Sequence, residues 1–177
     1  MDSISLLREG LRAAHEYLDG TMADVTPEQL HWIPQGRATP LGANYLHLIQ
    51  TEDQVIQIGL QNKPALADSE WAGRIGASEP MPMPPWEEAY YFDWSRRVRI
   101  DMPAMLEYAK AVYAASDAYL ATLTPEDLDT PIDLSKVGMG EVKLSWILNR
   151  YIVGHADNIC GEASALKGFQ GQHGYQE

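Results

Sequence analysis

The sequence predicts an all-α protein, a bundle of four long helices, and three observations lead to this fold class. Apolar residues recur at intervals of three and four over four long stretches, which is the spacing of a buried helical stripe. Every strong apolar pattern has this helical period rather than the strict alternation of a half-buried strand. At 177 residues the chain is long enough to bury a core of its own, so we expect a single domain over residues 1–177.

The first predicted helix covers residues 3–18, where apolar residues form one stripe, and Gly20 is expected to end it. After it, Thr26 begins a capping box with proline at the first helical position, which predicts a short helix. The related segment LTPEDL, residues 123–128, follows the third long helix and predicts a second short helix. The two halves of the chain therefore resemble each other as helix pairs.

Three further long helices complete the predicted bundle. The second covers residues 41–61, the third begins near Pro103, and the fourth covers residues 144–167 before Gly168 ends it. Between the second and third helices, residues 63–100 form a long connection that is rich in proline and aromatic residues. Its aromatic side chains are expected either to cover a ligand pocket or partner surface or to form a satellite core, and they are Trp71, Trp86, Tyr90, Tyr91 and Trp94.

Composition excludes several classes of partner. The 13 basic and 25 acidic residues give a formal net charge of −12, which repels nucleic acid and anionic membrane surfaces. No apolar run approaches the ~20 residues that cross a bilayer. Cys160 is the single cysteine, and the N-terminus lacks the pattern of a signal peptide, so we expect a reducing, cytoplasmic location.

Two polar residues of the fourth helix, His155 and Glu162, fall on its apolar face and are expected to point inward. A single histidine in such a stripe is more often a packed core residue than a ligand. A buried carboxylate needs a partner, a hydrogen-bond network or a raised pKa, because burial disfavours its charge. Gly154 and Gly161 each cost about 1 kcal/mol inside a helix, which suggests close approach by another chain segment.

His47, in the second helix, allows two interpretations. It belongs to a polar stripe with Asn44, Thr51 and Gln54 that either faces water or frames a polar cavity. Periodicity alone favours the solvated face. Neither interpretation identifies a ligand.

The remaining candidates carry weaker signals. Cys160 is interpreted as a small buried residue rather than a nucleophile, since a helix interior does not lower the pKa of a thiol. His15, His31 and His173 have no visible partner and are interpreted as surface or turn residues. The chain has no Walker loop, dinucleotide fingerprint, serine elbow or HExxH motif, which leaves phosphate, nicotinamide and zinc-protease chemistry without support.

Three segments follow one another in an order and spacing that is typical of one family. They are VTPEQLHWIP after the first helix, LGANYLHLIQTED in the second, and YIVGHADNICGEASALKGFQG in the fourth. Together they resemble the DinB-like superfamily, a family of small helical bundles unrelated to the DNA polymerase of the same name. The resemblance covers nearly the whole chain except the proline-rich connection.

The resemblance implies a metal site with one ligand missing. His47 matches the family's helix-two ligand and His155 its first helix-four ligand around a divalent ion such as Zn²⁺ or Ni²⁺. Isoleucine has no lone pair, and Ile159 occupies the remaining ligand position. Asn158 and Glu162 are the candidates for a third ligand, although Glu162 lies about 10 Å further along the helix axis than His155.

An alignment shifted by one helical turn is also open. It matches residues 154–157, GHAD, to a related actinobacterial-type branch of thiol-dependent enzymes. Leu148 and Ile152 would then occupy ligand positions. Both alignments lose at least one ligand.

Two functions of different classes follow from the resemblance. The first is a bundle with a small-molecule pocket and a degenerate histidine metal site, non-catalytic or metal-free, and Ile159 favours it. The alternative is a divalent-metal-dependent transferase or hydrolase, with or without a thiol cofactor. In that enzyme His47 and His155 hold the ion, while Glu162 acts as general base or orients the groups around it. The aromatic segment and the resemblance also lead us to expect a homodimer.

Overall fold

The computed structural model describes residues 1–82, 88–135 and 140–175. These residues are mostly helical, which confirms the predicted fold class at that level. Among them, every helix falls short of the length or the hydropathy that a membrane span requires.

Both N-terminal helices begin at capping residues, of which Thr26 was predicted from the sequence. Helix α1 is Ser3–Met22, and the Asp2 side chain accepts a hydrogen bond from the Ser5 backbone at its start. It therefore continues past Gly20, where we expected its end, because glycine in a helix is a modest cost that packing overrides. Helix α2 is Pro27–Leu30, and both hydrogen bonds of the Thr26 capping box are present.

The second long helix has the predicted extent but two kinds of helical turn. Helix α3 is Leu41–Asp53, and it continues without interruption into a π-helical segment, Gln54–Leu60. A π-helix adds about one residue to each turn, so it changes the direction in which the following side chains point.

The proline-rich connection contains helical structure of its own. It includes a 3₁₀ turn, Leu66–Asp68, and helix α4, Glu88–Arg97, which buries Trp94 completely. Trp86 lies outside the described residues. Trp94 belongs to the same apolar cluster as residues of the long helices, so this part of the connection packs onto the main core rather than forming a separate one.

The second half of the chain repeats the order of long helix and capped turn. Helix α5 is Met102–Leu120, and Thr124 forms a second capping box at the start of a 3₁₀ turn, Pro125–Asp129. A hairpin of two short antiparallel strands follows, β1 at Pro131–Asp133 and β2 at Glu141–Lys143, with Ile132 opposite Val142. The described residues thus contain very little sheet, as predicted.

The last long helix is divided by a second π-helical segment. Helix α6, Leu144–Ile147, leads into the π-helical residues Leu148–Val153 and then into α7, Gly154–Phe169. The Gly154 N–H donates to the Asn149 carbonyl, and a Cβ at Gly154 would lie 2.9 Å from that oxygen. The crowding at Gly154 thus comes from its own π turn and not, as we expected, from another chain segment. Gly161 is not crowded by a neighbouring segment either, since a Cβ there would lie an ordinary 3.7 Å from the Tyr175 hydroxyl.

The long helices enclose one large and one smaller apolar cluster. Helix α1 packs against α5 and α7, and α3 packs against the same two helices. The smaller cluster joins the two π-helical segments through Ile56, Leu148 and Ile152. The central residues of the larger cluster include Leu18, Leu46, Ile49, Met105, Tyr108 and Ala156.

Candidate functional site

His47 on α3 and His155 on α7 lie side by side. Their ring centroids are 5.1 Å apart and the rings are inclined by 83°. Both residues are half-buried, so His47 belongs to a sheltered site rather than to the solvated face that periodicity alone favoured. The packing of α3 against α7 brings together the two histidines that the family resemblance singled out.

Side chains from the connection cover one side of this histidine pair. The sulfur of Met81 lies 3.3 Å from Nδ1 of His47, and the ring of Tyr91 makes an edge contact with the same imidazole at 5.7 Å. Tyr91 in turn packs on the buried Trp94, with ring centroids 5.3 Å apart. The aromatic residues of α4 therefore belong both to the core and to the wall of the site.

Burial keeps both imidazoles neutral at pH 7. Desolvation, with a smaller contribution from the neighbouring His155, lowers the pKa of His47 to about 4. Desolvation also lowers the pKa of His155, although the charge of Glu162 partly opposes it. A neutral imidazole has a lone pair, which a metal ion, a hydrogen-bond donor or a transferable proton can use.

His155 has a buried ring atom whose hydrogen-bonding capacity is unused. Within the described residues, no group forms a hydrogen bond with its Nδ1. A buried polar atom without a partner costs about 1–3 kcal/mol, so each one calls for an explanation such as a bound water, ion or ligand. This atom is the strongest single sign of ligand binding at the histidine pair.

Glu162 lies at the rim of the site, and the expectation that it points inward is wrong. The residue is exposed, and its Oε2 accepts a hydrogen bond of 2.8 Å from Nδ2 of Asn44. The α-helix drifts by ~20° over seven residues, which turns Glu162 away from the line of His155 toward the edge of the α3–α7 contact. Its charge still reaches the site, since burial and Glu162 together raise the pKa of Tyr91 above the usual range.

Neither of the two other positions considered for a third metal ligand completes the site. Ile159 is 5% exposed and packs in the main core, and Asn158 is exposed. Two imidazoles that share one ion at ~2.1 Å in tetrahedral geometry have centroids about 5 Å apart, so the spacing of His47 and His155 fits. In the parts of the chain that the structure describes, no group of three His, Cys, Asp or Glu residues is arranged to hold a metal. The residues thus offer two metal donors, not a tripod.

Sequence reasoning missed a second polar cluster, and the interpretation of His15 as a surface residue is wrong. His15 is 6% exposed, and its Nε2 lies 2.9 Å from Oε2 of Glu52, which is fully buried. Ser116 donates a hydrogen bond of 2.6 Å to the other oxygen of Glu52. The available signal was the position of His15 four residues after Leu11 in the apolar stripe of α1.

The other residues with only a weak functional signal in the sequence lie in the core, in a turn or on the surface. Cys160 is buried and lies 3.4 Å from the Thr21 hydroxyl, as expected for a small core residue. His31 is a turn residue whose Nε2 accepts the Ile100 N–H at 2.9 Å, so it joins α2 to the segment before α5. His173 is exposed, as expected.

Together the fold and the site define a class: mostly helical proteins in which two neutral histidines from different helices share a sheltered face. The family model of the DinB superfamily matches residues 11–157, and the chain belongs to this superfamily. A solved structure described as a conserved protein from Enterococcus faecalis is similar, with a TM-score of 0.76 and 21% identity. The similarity covers 95% of this chain and 99% of that chain, and at this identity it concerns the fold. No curated protein matches the chain.

Proposed function

We propose that the protein is a four-helix bundle that binds a small molecule at the His47–His155 face without a resident catalytic metal. The observation that carries this proposal is the environment of the two imidazoles. Both are held neutral by burial, Nδ1 of His155 has no partner among the described residues, and Ile159 packs into the core where a third ligand would stand. Such a face accepts or donates hydrogen bonds but lacks the three protein donors of a usual catalytic zinc site.

The surrounding side chains favour a ligand with both polar and apolar parts. Met81 and Tyr91 supply an apolar wall next to His47. The imidazole of His155 supplies a hydrogen-bonding atom, and the Glu162 carboxylate held by Asn44 lies at the rim. Ligand pockets commonly combine apolar walls with a few fixed polar groups in this manner.

The proposal is tested by restoring the missing metal donor with Ile159→His. Residues four apart lie on the same side of a helix, so the new imidazole is placed next to His155. We expect isothermal titration of Zn²⁺ or Ni²⁺ to show binding at least about tenfold tighter than in the wild type. The melting temperature of the variant should also rise with added metal, because an ion that binds only the folded state stabilises it.

His47→Ala in the Ile159→His background is the matched control, and it should abolish most of the gain in affinity. Equal metal affinity in the wild type and Ile159→His would contradict the proposal, since the native site would then already have a third ligand. Because Ile159 is buried, the melting temperature without metal checks that the variant is folded.

The second candidate function is a divalent-metal-dependent transferase or hydrolase, with or without a thiol cofactor. The centroid spacing of 5.1 Å between His47 and His155 favours it. A divalent ion would act as a Lewis acid or activate a nucleophile there. In this chain His47 and His155 would hold the ion, and Glu162, oriented by Asn44, would accept a proton or orient bound groups. Metal binding by the wild type that His155→Ala abolishes and Glu162→Gln weakens would support this candidate over the first.

The homodimer and the cytoplasmic location stay predictions. Light scattering coupled to size-exclusion chromatography measures the mass in solution directly. A monomeric mass over a wide concentration range would contradict the homodimer.

A further inference from the structure

A pocket lies between α1 and α5, away from the contact of α3 with α7 that forms the histidine pair. Its volume is about 290 Å³, near the lower limit of typical ligand pockets. Most of its lining residues are polar or charged, with two arginines and three carboxylates among them, and they are Arg8, Arg12, His15, Glu16, Asp19, Tyr113 and Asp117.

His15 forms a buried wall of this pocket and has one ring nitrogen available. A carboxylate only accepts hydrogen bonds, so Nε2–H of His15 donates to Glu52, and in the neutral imidazole the opposite atom, Nδ1, carries the lone pair. No described residue forms a hydrogen bond with that Nδ1. The ring of Tyr113 stacks on the imidazole at 3.6 Å and fixes its orientation. His15 is 6% exposed, so the pocket contains a nearly buried polar side chain with an unused acceptor.

Asp19 provides a second acceptor. The hydroxyls of Tyr45 and Tyr113 both donate to its Oδ1, at 3.0 and 3.1 Å. Its Oδ2 receives no hydrogen bond from a described residue. The two tyrosines therefore hold one carboxylate oxygen in place while the other is available to a donor in the pocket.

The two arginines of the pocket differ in their partners. Arg8 makes two hydrogen bonds to Asp117, of 2.8 and 2.7 Å, which satisfy much of its guanidinium group. Arg12 also lines the pocket, where its charge helps to lower the pKa of Asp117, but no described residue accepts a hydrogen bond from it. The pocket thus presents one guanidinium group that is available to an anionic group of a ligand.

We propose that this pocket binds a free α-amino acid or a zwitterion of similar size. The ligand's ammonium group donates to Oδ2 of Asp19 and Nδ1 of His15, and its carboxylate pairs with Arg12. An ammonium group has three donors and no acceptor, which matches the two acceptors. Leu11 and Ala114 add apolar surface for a side chain. This site is independent of the function proposed for His47 and His155.

Three probes of matched shape test the proposal on the intact protein by NMR titration. L-leucine carries both charged groups, 3-methylbutylamine lacks the carboxylate, and 4-methylpentanoate lacks the ammonium. We expect leucine to bind with a Kd of about 1 mM or tighter and to shift the ¹⁵Nδ1 resonance of His15. Each of the other two probes should bind at least about tenfold more weakly, because each loses a charged hydrogen bond.

Two variants and a control locate the binding. Asp19→Asn keeps the acceptor for the tyrosines but removes the charge, and Arg12→Gln changes an exposed side chain that makes no hydrogen bond to a described residue. Each should weaken leucine binding at least about tenfold. Glu9→Gln removes one charge from the same helix outside the pocket and should leave the affinity unchanged.

Three results would overturn the proposal. They are the absence of saturable shifts with leucine, equal binding of leucine and 3-methylbutylamine, and equal weakening by Glu9→Gln and Asp19→Asn. Normal spectra of Arg12→Gln without leucine show that a loss of binding in this variant is not a loss of folding.

Discussion

Among the single residues, the group packed against a buried histidine determines the orientation and the protonation behaviour of its imidazole. His15 has a buried carboxylate, Glu52, as its hydrogen-bond partner, whereas the ring packed closest to His47 is another imidazole. An imidazole beside a carboxylate is held in one orientation and one tautomer. Two neighbouring imidazoles disfavour each other's protonation, so the His47–His155 face resists becoming charged.

The first prediction concerns the pH dependence that this resistance creates. The pKa of His47 is about 4 in the folded protein, against 6.5 when exposed. Between these values the unfolded chain binds a proton that the folded protein does not, so the free energy of unfolding falls as the pH decreases from 6.5 toward 4. The full effect is on the order of 3 kcal/mol.

Two measurements in the presence of EDTA check this predicted pH dependence. The ring resonances of His47 should titrate with a midpoint near pH 4. Urea unfolding of the wild type and of His47→Gln, which does not titrate, should show a smaller loss of stability for the variant between pH 7 and 4.5. A midpoint near the ordinary histidine value would show that the site is far more hydrated than its packing implies.

At the scale of elements, the π-helical segments determine where the site residues point. One follows α3 and the other precedes α7, and they share the smaller apolar cluster through Ile56 and Ile152. The second segment ends at Val153, directly before the glycine that precedes His155. An additional residue in a helical turn rotates the side chains that follow it about the helix axis. This segment therefore sets the direction of the His155 side chain.

The second prediction tests this dependence with Gly154→Ala. The new Cβ would lie 2.9 Å from the Asn149 carbonyl, so the π turn must shift. We expect Gly154→Ala to lower the free energy of unfolding and to displace the ring resonances of His155. The free energy of unfolding should fall even though alanine is favoured over glycine by about 1 kcal/mol inside a helix.

Gly168→Ala is the matched control in the same helix. A Cβ at Gly168 would have open space around it, with nothing within 4 Å, so alanine there should stabilise the protein by roughly 0.5–1 kcal/mol. Urea unfolding measures both effects. Stabilisation of similar size by both substitutions would show that the π turn imposes no constraint at Gly154.

At the scale of the whole molecule, one buried cation joins the first and last long helices. Lys167 on α7 is 2% exposed, and its Nζ donates to the carbonyl of Thr21 at 2.7 Å and to Asp24 at 2.5 Å. Asp24 lies just after α1 and its side chain is half-exposed. The ion pair therefore connects α7 to the end of α1, and it consists of one buried and one hydrated charge.

The third prediction follows from this asymmetry: Asp24→Asn should destabilise the protein more than Lys167→Met. Removing Asp24 leaves a buried cation without its counter-charge, at a cost on the order of 1–3 kcal/mol. Removing Lys167 leaves a carboxylate that water already solvates, and methionine fills a similar volume. Chemical denaturation of both variants measures the difference, and a larger loss for Lys167→Met would contradict it.

The same pair makes a pH-dependent contribution. The hydrogen bond from Lys167 lowers the pKa of Asp24. Its stabilising contribution is therefore complete above the ordinary pKa of an aspartate and is lost as the pH falls through the lowered value. The difference in stability between the wild type and Asp24→Asn should shrink accordingly in acid.

Much of the helical structure could be predicted from local patterns. The capping boxes at Thr26 and Thr124 depend on residues three apart, and both are present. The extents of α3 and of the last long helix follow from apolar periodicity, which a π turn interrupts too briefly to erase. His47 and His155 could be singled out because their positions match a family pattern.

Capping and amphipathic periodicity act over a few residues, so they predicted the helical class and most helix limits, whereas the two histidines were singled out by the family resemblance. Which polar groups are buried, and with which partners, could be seen only in the folded chain. His15 meets Glu52 across 37 positions, and Glu162 reaches Asn44 across 118. The physical reason is that desolvation and hydrogen bonding depend on what packs opposite a side chain, and that neighbour comes from a distant part of the chain.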